Sequence, residues 1–163
     1  MTEHEVEQII FGMSTKLISG RPRSVHEMQL YLNKKATDYS LAIADKEIFV
    51  QRLIQKLTKL DFLNDTSFIK WWVENRSSFR PRGKRGLIAE LRAKGIQQDD
   101  LDVFFSKSEL DEVELAKQVL VKKQRTFSLY DPQTQRKKAT DLLLRRGFSF
   151  DVIKQALLPF RTE

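Results

Sequence analysis

The chain has 163 residues, of which 40% are hydrophobic and 31% are charged, and its formal net charge is +7. This length suits one ordinary domain or a short array of small helical repeats. The absence of cysteine excludes disulfide bonds, thiolate metal sites and cysteine nucleophiles. The excess of basic residues predicts a polyanionic partner or an acidic protein surface, and a soluble surface that is merely basic is the alternative.

The sequence shows no sign of a targeting or membrane-spanning segment. Residues 1–5 are acidic and polar, which is the reverse of the basic start of a signal peptide. No apolar run approaches the ~20 residues that are needed to span a bilayer. We therefore expect a soluble, cytoplasmic protein.

Apolar residues recur at helical spacing along almost the whole chain, which predicts about nine helices. The first helix ends at Gly20, ahead of Pro22, and Ser24 starts the second helix with Glu27 at the spacing of a capping box. A loop follows at residues 37–44. The inward face of the first helix is predicted to consist of Val6, Ile9, Ile10, Met13 and Leu17.

The next helices follow the same pattern. Asn64 or Asp65 is predicted to cap the fourth helix, Gly95 closes the fifth, and the sixth covers residues 97–105. The inward face of the third helix is predicted to consist of Phe49, Leu53, Leu57 and Leu60.

The last three helices have clear start signals. Ser108 is predicted to cap the seventh helix, and Asp131 with Pro132 starts the eighth. The eighth helix ends at Gly147, and Ser149 caps the ninth.

Two segments of the chain recur at a regular distance. Residues 21–35, which begin with Arg-Pro-Arg, return 59 positions later at 80–94 with the same start and the same apolar spacing. Residues 95–105 return 52 positions later at 147–157. Repeats of this period predict an array of stacked helical units, and a single bundle with chance similarity is the alternative. The predicted fold is all-α, with three tandem three-helix repeats bounded at 1–63, 64–107 and 108–163.

The chain offers no catalytic constellation of side chains. His4 lies near the N-terminus and His26 is expected to be a solvated residue in the first turn of a helix. The aspartates at 61, 65, 99 and 100 stand at helix starts, where they suit capping and the helix dipole. The six glycines are scattered and form no phosphate-binding loop. We expect a non-enzymatic protein without a catalytic residue, a metal or a cofactor.

Basic residues cluster around the second helix of each repeat. Residues 76–94 hold seven cations and only one acid, Glu90. A charge run is often only a solvated helix face, but recurrence of the Arg-Pro-Arg turn favours contact with phosphates or with an acidic partner. The predicted contact residues are Arg21, Arg23, Arg76, Arg80, Arg82, Lys84, Arg85, Lys94, Lys137, Lys138, Arg145 and Arg146.

Three aromatic residues stand next to this basic region. Trp72 shares the apolar stripe of Phe68 and is expected to pack in the core. Trp71 lies off that stripe, so it is either an exposed platform for a partner or a base, or a cover for the adjoining repeat. Phe79 directly precedes Arg80.

Several of these motifs resemble the RecX family of recombination regulators. The segment most typical of that family is similar to Gly83-x-x-x-Leu87-x-x-Glu90-Leu91-x-x-Lys94-Gly95-Ile96. Residues 62–68 resemble the family's "YLDD…F" stretch, and the Arg-Pro-Arg turn at 21 and the segment 145–148 resemble the first and third repeats. The resemblance covers about residues 6–160. This chain departs from the pattern at Asn64, at Gln133 and in the loop at 37–44, which leaves local turn geometry open.

The resemblance implies an elongated, monomeric helical-repeat protein that lies in the groove of a RecA-type recombinase–DNA filament. Such a regulator restrains ATP turnover, strand exchange and co-protease activity, and it promotes filament disassembly. The partners implied are the recombinase filament and single-stranded DNA. The alternatives are a general single-stranded nucleic-acid-binding protein that acts without a recombinase, and an adaptor scaffold for another protein.

Overall fold

The computed structural model describes residues 1–158, and this part of the chain is all-helical. It contains nine helices and no strand, which confirms the predicted all-α class. The helices are α1 (Glu3–Gly20), α2 (Val25–Asp38), α3 (Lys46–Lys59), α4 (Asp65–Phe79), α5 (Lys84–Ala93), α6 (Gln98–Lys107), α7 (Glu112–Phe127), α8 (Pro132–Arg145) and α9 (Phe150–Leu157). The predicted third repeat extends to residue 163, and its last five residues lie outside the described range.

Most helix starts are the ones that the sequence predicts. Ser24 accepts a hydrogen bond from the amide of Glu27, whose carboxylate accepts one from the amide of Ser24 in return, so the predicted capping box of α2 is present. Asp131 caps α8 with Pro132 in its first turn, and Ser149 caps α9.

The start of α7 differs from the prediction. Asp111 rather than Ser108 caps this helix, and its carboxylate accepts a hydrogen bond of 3.0 Å from the amide of Glu114. Both residue types are good caps, and acidic residues suited to the helix dipole follow each of them: Glu109 and Asp111 after Ser108, and Glu112 and Glu114 after Asp111. The local sequence therefore supports both starts, and the structure has the later one.

The chain divides into two compact units. The first contains residues 1–71 and 93–100, and its core lies between α1, α2 and α3. The second contains residues 72–92 and the described residues from 101 onward, and its core lies between α7, α8 and α9. The repeat boundaries at 63/64 and 107/108 fall between helices and stay a prediction.

In the first unit, each helix buries one stripe of its surface. The fully buried residues of α1 are Val6, Ile10 and Ser14, spaced four apart, while the predicted inward residues Ile9 and Met13 are each 40% exposed. Residues four apart lie on one narrow stripe of a helix, so α1 packs against its neighbours only along that stripe. The Ser14 hydroxyl donates to the carbonyl of Ile10 at 2.8 Å, which allows a polar residue to be buried in the stripe. Leu60, also predicted to face inward, is exposed.

The second unit is built in the same way. The buried residues of its core are Leu115, Ala116, Val119, Leu120, Ala139, Leu143, Phe148, Ile153, Ala156 and Leu157. Burial of such a set supplies most of the stability of short helices, which are marginal alone. None of the helices in residues 1–158 combines the length and the apolarity needed to cross a bilayer.

Candidate partner-binding surface

In the first unit, the Arg-Pro-Arg turn packs on the glycine turn that follows α5. The Ser24 hydroxyl donates to the carbonyl of Lys94 at 2.7 Å. Gly95 has a φ of +79°, and a Cβ at that position would overlap the side chain of His26. Only glycine allows this close approach without strain. We call residues 21–27 together with residues 94–95 the first junction.

In the second unit, the second Arg-Pro-Arg turn packs on the turn that follows α8. The amide of Gly83 donates to the carbonyl of Arg146 at 3.0 Å, and Arg146 Nη1 donates to the carbonyl of Pro81 at 3.3 Å. Gly147 has a φ of +81°, and a Cβ there would overlap the amide nitrogen of Gly86. We call residues 80–86 together with residues 146–147 the second junction.

The two junctions are copies of one arrangement. Ser24 and Gly83 stand 59 positions apart and each donates a hydrogen bond, while the accepting residues Lys94 and Arg146 stand 52 positions apart. These are the two distances at which the sequence repeats. The repeated motifs therefore encode a contact between the basic turn of one repeat and the glycine turn of the next.

In the first junction, Glu27 neutralises the neighbouring cations. Its Oε1 lies 2.8 Å from Arg21 Nη2 and 3.0 Å from Lys94 Nζ, and the amide of Ser24 donates to its Oε2. Burial alone would raise the pKa of this carboxyl, but the hydrogen bonds from Arg21, Lys94 and Ser24 outweigh that effect and lower the pKa to about 2. Arg21 and Lys94 are thus tied to an internal partner.

In the second unit, Glu90 accepts several donors. Arg76 Nε and Trp72 Nε1 donate to its Oε2 at 3.0 and 2.9 Å, and Arg82 Nε lies 2.7 Å from Oε1 in an ion pair. The Arg76 guanidinium also lies over the Trp72 ring, 4.6 Å from its centroid. Arg76 therefore stabilises the fold, whatever further contact it makes.

The second arginine of each Arg-Pro-Arg turn has a buried Nε atom that makes no well-directed hydrogen bond within residues 1–158. The two differ in charge pairing, because Arg82 Nε lies 2.7 Å from the Glu90 carboxylate in an ion pair. The side chains are half-buried, so the apolar part of each is held against the protein.

Two other arginines of the second junction have no carboxylate partner in the described chain. Arg80 is exposed, and Arg146 is half-buried with a backbone carbonyl as its acceptor. Burial lowers the pKa of Arg146, and the positive charges of Arg80 and Arg82 lower it further. The second junction therefore brings three guanidinium groups together.

The other predicted contact residues are divided between two places. Arg85 is exposed within the second junction, and Arg145, also exposed, directly precedes the junction residue Arg146. Lys84 donates its amide to Glu112 Oε1 at 2.7 Å, and its ammonium lies 5.5 Å from the Phe105 ring. Lys137 and Lys138 lie earlier in α8, about two turns before Arg145. Binding of a partner by any of these residues stays a prediction.

The aromatic residues near the basic region differ in exposure. Trp71 is half-buried, with its ring centroid 5.9 Å from that of Phe68, which favours packing over an exposed platform. Phe79 is 77% exposed at the end of α4, directly before Arg80. Sequence reasoning noted Phe79 only as a neighbour, although its position at a helix end was already a sign of exposure.

Residues 1–158 contain no group of three or more His, Cys, Asp or Glu side chains that could hold a metal ion. His26 is exposed and contacts Gly95 in the first junction.

Family models match two parts of the chain. The model for the second three-helix domain of RecX matches residues 64–102, and the model for its third three-helix domain matches residues 110–157. These domains agree with the predicted fold of tandem three-helix repeats.

Similar proteins named regulatory protein RecX occur in several bacteria. The Streptomyces coelicolor protein is 26% identical over 147 residues, which are 87% of this chain and 74% of that protein. The Bacillus pumilus protein is 32% identical over 151 residues, which are 90% of this chain. The chain spans about half the length of the Bacillus relatives, 53% in that case.

A solved structure has the same fold. The crystal structure of RecX from Lactobacillus salivarius superposes with a TM-score of 0.74 at 21% identity, and the match covers 96% of this chain and 97% of that one. Together with the matched domains, these similarities show that the chain belongs to the RecX family.

Proposed function

We propose that this chain regulates a RecA-type recombinase, as an inhibitor that binds in the groove of the recombinase–DNA filament. It acts without catalysis of its own, as a monomer in the cytoplasm. By occupying the groove it slows ATP turnover and strand exchange, and so modulates DNA repair and the SOS response. Membership of the RecX family and the cation-rich second junction support this proposal.

The physical argument rests on many weak contacts along a repeating partner. Exposed arginines such as Arg80, Arg85 and Arg145 suit acidic recombinase surface and DNA phosphate equally, because guanidinium donates to both. Each contact alone is weak, but contacts held on one chain act together through their effective concentration.

The test is a recombinase ATPase assay on single-stranded DNA with the full chain added. We expect inhibition that saturates near the number of filament sites. Reversal of charge at Arg80 and Arg85 should weaken the inhibition, whereas reversal at Arg125, an exposed residue of α7, should not. An unchanged ATPase rate at several-fold excess of protein would refute the proposal.

The second candidate is a single-stranded nucleic-acid-binding protein that acts without a recombinase. The exposed Phe79 beside Arg80 favours it, because an aromatic ring next to a cation suits a base and its phosphate. Equal affinity for bare and for recombinase-coated single-stranded DNA would support this candidate over the first.

A further inference from the structure

The basic turns of the two junctions differ in charge at three positions, where Val25, His26 and Glu27 of the first correspond to Lys84, Arg85 and Gly86 of the second. The last of these differences removes an anion. Residue 27 of the first junction corresponds to residue 86 of the second, since the basic turns stand 59 positions apart. Glu27 places a carboxylate between the cations of the first junction. Gly86 places no side chain at all in the second.

The glycine at position 86 is required by the packing. A Cβ there would lie 2.6 Å from the carbonyl oxygen of Arg146, which is closer than real Cβ atoms approach. A glutamate at this position would therefore force the two turns apart. The second junction keeps a hydrogen bond from the basic turn to a carbonyl of the glycine turn, but it has no carboxylate at the position of Glu27. Its Arg82 pairs instead with Glu90, which lies in α5 outside the junction.

The second junction is consequently rich in positive charge. Its guanidinium groups at Arg80, Arg82 and Arg146 lie close enough for the charges of the first two to act on the third. The Glu90 carboxylate pairs with Arg82 but is shared with Arg76, and Glu112 accepts the amide of Lys84. Like charges held this close repel one another, and an external anion relieves that repulsion.

We propose that the second junction binds one backbone phosphate of single-stranded nucleic acid, which supplies the negative charge that Glu27 supplies in the first junction. Arg80 and Arg146 donate to the phosphate oxygens, and Phe79 stacks on a neighbouring base. The inference rests on the proposed function, in which single-stranded DNA is a partner of this chain. It adds which site of the chain contacts the DNA phosphate.

Two features favour a phosphate of nucleic acid over a carboxylate of a protein. Phe79 is 77% exposed and directly precedes Arg80, so a flat apolar ring adjoins the cations. Unpaired bases stack on such rings irrespective of sequence, whereas bases in a duplex are already stacked. Arg85 and Arg145, both exposed, offer charge for the adjacent phosphates of the same strand.

The experiment measures binding of the full chain to a fluorescein-labelled oligo(dT) by anisotropy, across a series of salt concentrations. Arg80→Gln should weaken binding and reduce the slope of log affinity against log salt by about 0.7, the value for one phosphate on a single strand. Phe79→Ala should weaken binding by about tenfold with the slope unchanged. Arg125→Gln is the matched control, since Arg125 is exposed and lies in α7.

Arg146→Gln tests the buried side of the site. This variant should reduce the slope in the same way, and circular dichroism reports whether it folds, because Arg146 also bonds the carbonyl of Pro81. Arg80 makes no side-chain hydrogen bond or ion pair within residues 1–158, so Arg80→Gln keeps the test valid if Arg146→Gln unfolds.

Three outcomes would overturn the assignment. Arg80→Gln could bind as tightly as Arg125→Gln; Phe79→Ala could bind as tightly as the parent; or Arg80→Gln could reduce binding to DNA-free recombinase without affecting the oligonucleotide. The last result would identify an acidic protein surface as the ligand. If the parent protein binds the oligonucleotide but does not inhibit the recombinase ATPase, the proposed function is refuted and the assignment of the phosphate site is not.

Discussion

The Glu27 carboxylate is the clearest place to test how charge stabilises the first junction. Replacement of Glu27 by Gln keeps the size of the side chain and most of its hydrogen-bonding capacity but removes the negative charge. Arg21 and Lys94 then face each other without an anion between them. We expect the variant to fold with lower stability.

The size of the effect follows from the pKa. A fall from 4.5 to about 2 corresponds to roughly 3 kcal/mol at most. Water partly screens this carboxylate, and screening reduces the expected contribution to about 1–2 kcal/mol. Because the pKa is lower in the folded state, the unfolded chain binds more protons. The stabilisation is therefore complete above the unfolded pKa and is lost as the pH falls toward 2.

Urea denaturation, followed by circular dichroism at several pH values, measures this difference. The parent should be more stable than Glu27→Gln by about 1–2 kcal/mol at pH 7, and about half of that difference should be lost by pH 3. Glu109→Gln, a change at an exposed residue, should show no such difference. A difference between parent and Glu27→Gln that stays constant with pH would refute the electrostatic explanation.

Two further changes test the backbone of the junctions. Gly147→Ala should destabilise the fold by about 2–4 kcal/mol, because it places a side chain at positive φ and against the backbone of Gly86. Gly12→Ala, where no atom lies near the new Cβ, should instead stabilise α1 by about 0.5–1 kcal/mol; equal effects of the two changes in urea denaturation would contradict this. Ser24→Ala should cost about 1–2 kcal/mol, since it removes both a helix cap and the hydroxyl that donates to the carbonyl of Lys94; a neutral result would count against the role of that contact.

Helix boundaries were predictable because their signals are local. A cap such as Ser24 with Glu27, or Asp131 before Pro132, stabilises a helix end through atoms three residues apart. The error at α7 arose where two good caps, Ser108 and Asp111, stand three residues apart and each satisfies the same rule. Acidic residues follow both of them, so the local sequence does not decide between the two starts.

The pairing of charges was not predictable from local sequence. Glu27 and Lys94 are 67 residues apart in the chain, yet their side chains meet at 3.0 Å. Nothing in the basic clusters distinguishes Lys94, which has this partner, from Arg80, which has none within residues 1–158. A comparison of the repeats would have shown that Glu27 corresponds to Gly86, because both lie at one position of the repeated segment.

The interlocked turns also limit how this protein can be divided or lengthened. The first compact unit includes residues 93–100, which belong to the second repeat, so a cut at residue 63 would remove the acceptor of the Ser24 hydroxyl. A piece that keeps the contacts of the first basic turn must include Asp65, which accepts from the amide of Val25, as well as the glycine turn at residues 94–95. A duplicated repeat would join the array only if it brought both an Arg-Pro-Arg turn and a glycine at positive φ. The order of the repeats therefore has a direction, because the basic turn of each repeat donates to the glycine turn of the repeat that follows it in the chain.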